Sequence, residues 1–566
     1  MKTHTLSYSL ILFFLLAFAA RAEVRERIYL QTDKQVYLSG EHLWMKLYLT
    51  DAGGKPTDFS KVGYVELADG SQPHIQVKIE IANGVGEGWM ELPSRLPTGY
   101  YRLIAYTRYM ENEGEPVYFH KTIGIVNTYR VDRTIPTDTS AAPPRISALP
   151  PSEGGVSVTP SASTYLTRTQ GELRIDGLPA GIHSLAVSVA GNEFIPVPET
   201  TTIRRWHEGL SSLSGIERGE TPLLLPEYEG HILQGRLLNA QTGEPVRTEA
   251  SALIGFVGDD IRVFGGQADK QSNITFFTDR IGGKQRLGVV VYSMAHDTAC
   301  RLELQSPFVV HPPMRMPAFS LHPAWEKPLE QRSIGVQTLY SFAYDSISRT
   351  SPSEPYFRWK PDVTYLLDEY TRFAQMQEMF IEFIPYLTFR MENGVRRLSV
   401  ILEDFSPGAH SLALLDGVPI KDHTFLYNYD PRRLRRVDIY RTPFYFGGQR
   451  FEGIASFASI LNDHPGLTST SATRLLGYEG TQSFRHFYAP SYPLSGNETE
   501  RSRVPDYRHT LLWEPAVQTN GRSSVTIPFA TSDLTGTFLI TIEGLTKAGR
   551  PVRATASFTV EERRGW

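Results

Sequence analysis

Turn signals recur about every 8–12 residues through the first part of this chain, a spacing that suits short antiparallel strands and excludes long helices there. Leu38-Ser39-Gly40-Glu41 separates the apolar runs Ile28-Tyr29-Leu30 and Leu43-Trp44-Met45-Lys46-Leu47-Tyr48-Leu49. Leu96-Pro97-Thr98-Gly99 stands ahead of Tyr100-Tyr101-Arg102-Leu103-Ile104-Ala105-Tyr106. The whole chain carries 46 Gly, 38 Pro, 28 Tyr and 29 Phe, so the same inference extends past this segment. Hydrophobic residues make up 41% of it, enough for packed cores and too many for a disordered tail. Its 566 residues amount to roughly three to five domains. The expected fold class is mainly β: tandem β-sandwich domains with one small α+β module.

The N-terminus pairs Met1-Lys2 with an apolar run from Leu10 to Ala20, then Ala20-Arg21-Ala22 before Glu23. This is the pattern of a secretory signal peptide over residues 1–22, with cleavage after Ala22. The run is too short to span a bilayer, and no longer one follows, so no transmembrane helix is expected in the mature chain. The formal charge is −4, and no basic excess exists to hold a nucleic acid. Cys300 is the one cysteine, which excludes an intramolecular disulfide and a thiolate metal cluster. Its strand-like setting, Thr298-Ala299-Cys300-Arg301-Leu302-Glu303, reads as a small core residue.

Residues 23–127 form the first expected sandwich. Residues 128–152, with Pro136, Pro143, Pro144, Pro150 and Pro151, read as a linker. Residues 153–222 read as a small β domain and 223–310 as a third β unit. Residues 311–385 read as irregular chain followed by a helix near Leu366–Ile384, capped by Asp362 or Thr364 and stopped by Pro385. Tyr370, Phe373, Met376, Met379, Phe380 and Phe383 fall at helical spacing there, as a core-facing stripe does. Residues 386–470 alternate strands and tight turns, 471–504 read as a loop, and 505–566 as a C-terminal sandwich.

Three resemblances follow from quoted runs. Tyr29-Leu30-Gln31-Thr32-Asp33-Lys34, Tyr37-Leu38-Ser39-Gly40-Glu41 and Leu96–Leu103 resemble the second macroglobulin-type domain of the α-2-macroglobulin superfamily. That superfamily's thioester needs a Cys-Gly-Glu-Gln setting, which Cys300 lacks, so the covalent trap is not implied. Gly230–Leu237 and Gly243-Glu244-Pro245-Val246 look like a carboxypeptidase-regulatory or Cna-B-type sandwich, usually a spacer. Leu414-Leu415-Asp416-Gly417-Val418-Pro419-Ile420, Arg435-Arg436-Val437-Asp438-Ile439-Tyr440-Arg441 and Tyr445-Phe446-Gly447-Gly448 resemble the plug domain of TonB-dependent outer-membrane receptors. A transporter barrel of about 22 strands needs roughly 220 residues, and 107 follow Ser459. The resemblance therefore implies a plug-like module without a pore of its own.

The candidate partner contact is the cluster Arg432, Arg433, Arg435, Arg436 and Arg441 with the aromatics Tyr445 and Phe446. It suits an anionic partner, a lipopolysaccharide headgroup or an acidic protein loop; the plainer alternative is a set of strand residues facing solvent. No His-x-x-x-His pair, Gly-x-Ser-x-Gly elbow or phosphate loop occurs, so no catalytic residue, metal ligand or cofactor is assigned. The resemblances together imply a non-enzymatic protein of the Gram-negative envelope, periplasmic or outer-membrane-associated. It would act as accessory, scaffold or gating partner of an outer-membrane protein, a TonB-dependent transporter among the candidates. A surface module for glycan or peptide and an envelope hydrolase are the alternatives.

Overall fold

The computed structural model describes residues 25–563 apart from short stretches, the longest being 141–151, 294–299, 343–347, 351–358, 403–409 and 493–503. The signal peptide and most prolines of the linker lie outside the described residues. No described helix is long and apolar enough to cross a membrane. The chain is mainly β, in tandem sandwiches, as its turn spacing requires.

Eight strands between Glu26 and Val126 make the first sandwich. Strand Glu26–Thr32 is buried along its whole length, polar residues included. Ile28 and Leu30 enter the core with Leu47, Leu49 and Ile104. The other face is covered by a second sandwich, and polar groups are matched across the contact. Tyr29 donates to Glu543 Oε2 at 2.6 Å, and Arg553 pairs with the same carboxylate at 3.2 Å. Thr510 donates to Asp33 Oδ2 at 2.7 Å, and Ser188 to Asp33 O at 2.5 Å. The Tyr29–Lys34 motif thus joins two sandwiches, while the buried strand's own charged residues, Glu26 and Arg27, are matched inside the first sandwich by Ser60, Thr107 and Glu113.

That second sandwich corrects the expected boundaries. Residues 153–222 and 505–566 do not close separate sheets. Thr164–Leu166 and Ile182–Gly191 share a five-stranded sheet with Thr510–Glu514, Gly536–Thr546 and Pro551–Glu561. Gln170–Asp176 pairs with Ser524–Ala530 in the facing sheet. The third sandwich likewise borrows Arg474–Glu479, from the expected 471–504 loop, as a partner for Lys284–Ser293.

The segment 311–360, expected to be irregular, contains a 17-residue helix, Glu326–Phe342. It packs Leu329 and Val336 against Val36, Leu38 and Trp325. Arg332 holds Glu41 through bonds of 2.7 and 2.8 Å and donates to Val36 O at 2.7 Å. The helix expected near Leu366–Ile384 is shorter. Val363–Leu366 is a strand, and the helix runs over Met376–Phe383 with Gln375 as an N-cap whose side chain makes no capping bond. Asp362 and Thr364 do not cap it; their side chains hold Arg441 N at 2.5 Å and Asp438 Oδ1 at 2.7 Å. Met376, Met379 and Phe380 do enter the core.

The α+β module is a five-stranded sheet ordered Val363–Leu366, Leu434–Phe446, Gln449–Ser459, His410–Leu415, Val418–Ile420. The module therefore begins before the expected residue 386. Asp416 and Gly417 take positive φ of 49° and 78°, the left-handed pair that a two-residue hairpin turn requires. Asp416 also accepts from Ser459 N and Oγ, each at 2.6 Å, tying the turn to a central strand.

Candidate interaction face and an internal polar cavity

The arginine cluster divides into two groups. Asp430 caps the short turn Pro431–Arg433 and binds Arg432 in a fork, 2.9 Å for each bond, at the surface. Arg433 is exposed, and no ion pair forms at its side chain among the described residues. Arg435 is paired with Asp259 of the third sandwich, and Arg436 with Asp438 at 2.9 Å. Arg441 donates to Ile401 O at 3.1 Å and lies 4.6 Å above the Tyr386 ring.

The aromatics divide the same way. Tyr445 is 69% exposed. Phe446 is partly buried against an apolar cluster formed by Leu253, Ile261 and Val263 of the third sandwich with Leu412, Tyr440 and Phe451 of the module. The two backbones touch there: a Cβ on Gly265 would stand 2.1 Å from Gly447 N. Four of the seven expected contact residues, Arg435, Arg436, Arg441 and Phe446, are thus committed within the chain. Arg432, Arg433 and Tyr445 face outward.

The outward group has apolar company. Ile460 N donates to Arg433 O at 2.9 Å, which sets exposed Ile460 and Leu461 beside Arg433. Ten of the 23 large apolar side chains exposed among the described residues fall between Trp359 and Leu461.

A second feature was invisible in the sequence. A cavity of about 760 Å³ opens between the first sandwich, the third sandwich and the segment 477–485, a size typical of small-ligand pockets. Gln482 clamps one wall, donating from its backbone to Lys78 O at 2.7 Å and from its side chain to Trp89 O at 2.7 Å. Behind another wall lies Glu227, fully buried, accepting from Tyr64 at 3.0 Å and from Ile232 N at 2.8 Å. Burial pushes its carboxyl up to about 7 despite those bonds and the cations Arg108 and Lys78. His231 Nε2 lies 3.7 Å from that carboxylate, and its Nδ1 contacts the Tyr478 hydroxyl. Burial, then the Lys78 and Arg108 charges, hold this imidazole well below its usual range, so it is neutral.

Burial lowers the Lys78 amine to about 8, and its Nζ sits 4.8 Å from the Tyr478 ring. Glu111, also lining the cavity, is pushed up by burial to about 7 against the pull of Arg108. Sequence reasoning missed these residues because Lys78 shares a strand face with Gln76 and Glu80, which reads as a solvated face. The third sandwich and the segment 477–485 bury Lys78 on that face, while Gln76 stays exposed. Cys300, on strand Cys300–Leu304, lies outside the cavity lining, and burial raises its thiol, which opposes nucleophilic use.

No protein-family model matches the chain, and no curated protein matches it. Among solved structures it is similar to Salmonella α-2-macroglobulin reacted with methylamine, at 9% identity and a TM-score of 0.24, over 95% of this chain and 39% of that one. It is similar to trypsin-activated α-2-macroglobulin from Escherichia coli at 9% identity and 0.23, over 94% and 41%. For the E. coli protein activated by porcine elastase the values are 10% and 0.25, over 95% and 44%. The chain spans about two-fifths of the length of the solved chains it matches. At these identities and scores the likeness assigns no activity.

Proposed function

We propose that this chain is a non-enzymatic interaction protein of the Gram-negative envelope, exported to the periplasm or the outer-membrane surface. It serves as an accessory, scaffold or gating subunit of an outer-membrane protein, and a TonB-dependent transporter fits the plug-like runs of its sequence. One observation carries this reading. On the module of residues 363–461, exposed Ile460 and Leu461 adjoin Arg433, whose charge has no carboxylate partner within 4 Å among the described residues. An apolar centre with a cationic margin is how a protein-contact patch is built. The partner would present an acidic, partly apolar surface.

The Arg432→Glu/Arg433→Glu double variant tests this cleanly, because Arg435 and Arg436 are engaged inside the chain. Its circular dichroism and thermal midpoint should match wild type. Its recovery with outer-membrane proteins should fall several-fold at low salt, and the difference should shrink as added salt shortens the Debye length to about 3 Å near 1 M. Unchanged recovery at low salt would make these arginines a solvated face only.

A further inference from the structure

The cavity between the two sandwiches contains an unbalanced set of charges. Arg108 is 7% exposed and Lys78 is 7% exposed. Among the described residues neither side chain makes a hydrogen bond or an ion pair, and Arg108 Nε is buried with no acceptor. Lys78 has the Tyr478 ring beneath its Nζ, with the Glu227 and Glu479 carboxylates nearby but not in ion-pair contact. Burying a cation without an acceptor is unfavourable, and such a group is retained where something else supplies the acceptor. Glu227, which accepts from Tyr64 and Ile232, makes no hydrogen bond or ion pair with either cation. Two more cations line the same space. Lys284 is exposed at the rim, and Arg485 stacks 3.8 Å above the Trp89 ring. Against these four stand Glu111, the exposed Glu479 and, behind the wall, Glu227. The remaining lining includes Trp89, Phe308, Leu224 and Leu233.

We propose that this cavity binds an oxyanion carried on an apolar body, a carboxylate or a phosphate, with Arg108 and Lys78 as the recognising cations. Arg108 offers a planar fork that matches either oxyanion, and Lys78 adds a point charge. The apolar wall takes the rest of the ligand. This site is independent of the docking patch, so either proposal can fail without the other.

The test titrates the full chain by calorimetry and thermal shift with three probes: N-acetylphenylalanine, its neutral amide, and inorganic phosphate. At least one anion should bind and raise the thermal midpoint, and the amide should not. A response to phosphate alone assigns a phosphate ligand; a response to N-acetylphenylalanine alone assigns a carboxylate. Arg108→Met and Lys78→Met should each weaken the responding anion about tenfold or more, as loss of a charge-assisted hydrogen bond does. Neither should lower the midpoint of the free protein. Glu111→Gln, which removes a competing anion, should tighten binding and serves as the reading if a cation variant fails to fold. Absence of binding by both anions would overturn the proposal, as would equal affinity in all three variants. So would a large stability loss in Arg108→Met with anion binding unchanged in Glu111→Gln, since Arg108 would then only balance its carboxylate neighbours.

Discussion

Glu41→Gln is expected to cost about 3–5 kcal/mol, because it leaves the Arg332 guanidinium buried opposite a neutral amide. The side chains of Arg332 and Glu41 are 4% and 9% exposed, and two bonds of 2.7 and 2.8 Å join them. This pair fixes helix Glu326–Phe342 to the first sandwich, so the loss should appear as undocking of that helix in hydrogen exchange. The Glu41→Met/Arg332→Met double variant should recover most of it, since an apolar pair of similar volume removes both desolvation penalties. The pH dependence follows. Burial raises the Glu41 carboxyl, but Arg332 and Lys34 outweigh burial and hold it well below its ordinary 4.5. A carboxylate depressed in the fold stabilises above its unfolded pKa and loses that contribution as pH falls through the folded value. Wild type should therefore weaken as pH drops below about 4.5, and the Glu41→Gln variant should lack that part of the slope.

Gly417→Val should cost about 3 kcal/mol, the upper end of what one strained backbone residue costs. Gly417 has φ of +78°, and a Cβ there would stand 2.3 Å from Phe256 O, a backbone atom of the third sandwich. Strain within the turn alone would account for about 1–3 kcal/mol. The added clash lies between sandwich and module, so the variant should loosen their contact as well as the hairpin. Chemical denaturation followed at Phe451 and Tyr440 by residue-specific NMR would register it. A variant as stable as wild type would mean that the turn can open without disturbing Phe256.

The sequence revealed local structure and concealed long-range structure. Asp416-Gly417 read as a turn because only small residues suit the left-handed pair, and turns are decided locally. The core role of Met376, Met379 and Phe380 was likewise visible in their spacing. Asp362 and Thr364 read as caps of a helix starting near Leu366, yet pairing of Val363–Leu366 with Leu434–Phe446 makes that stretch a strand. Helix Glu326–Phe342 escaped notice because Pro328 and Gly335 interrupt it and its apolar stripe is thin. The pairing of Ile182–Gly191 with Gly536–Thr546 joins segments more than 300 residues apart, and no local signal encodes such a partner. The contact arginines stood out by density, but nothing in their order separates those facing Asp259 from those facing outward. The cavity drew its residues from segments scattered between Gln76 and Arg485, each unremarkable alone.

The most direct test of the interaction reading is site-specific photocrosslinking in cells that make the protein. A photoreactive amino acid would replace Leu461, 75% exposed on the proposed face, or Glu172, exposed on the sandwich formed with the C-terminal strands. The account predicts one dominant adduct with an outer-membrane protein from position 461, absent from position 172 and lost in the Arg432→Glu/Arg433→Glu background at low salt. No adduct at 461, or the same adducts from both positions, would contradict it.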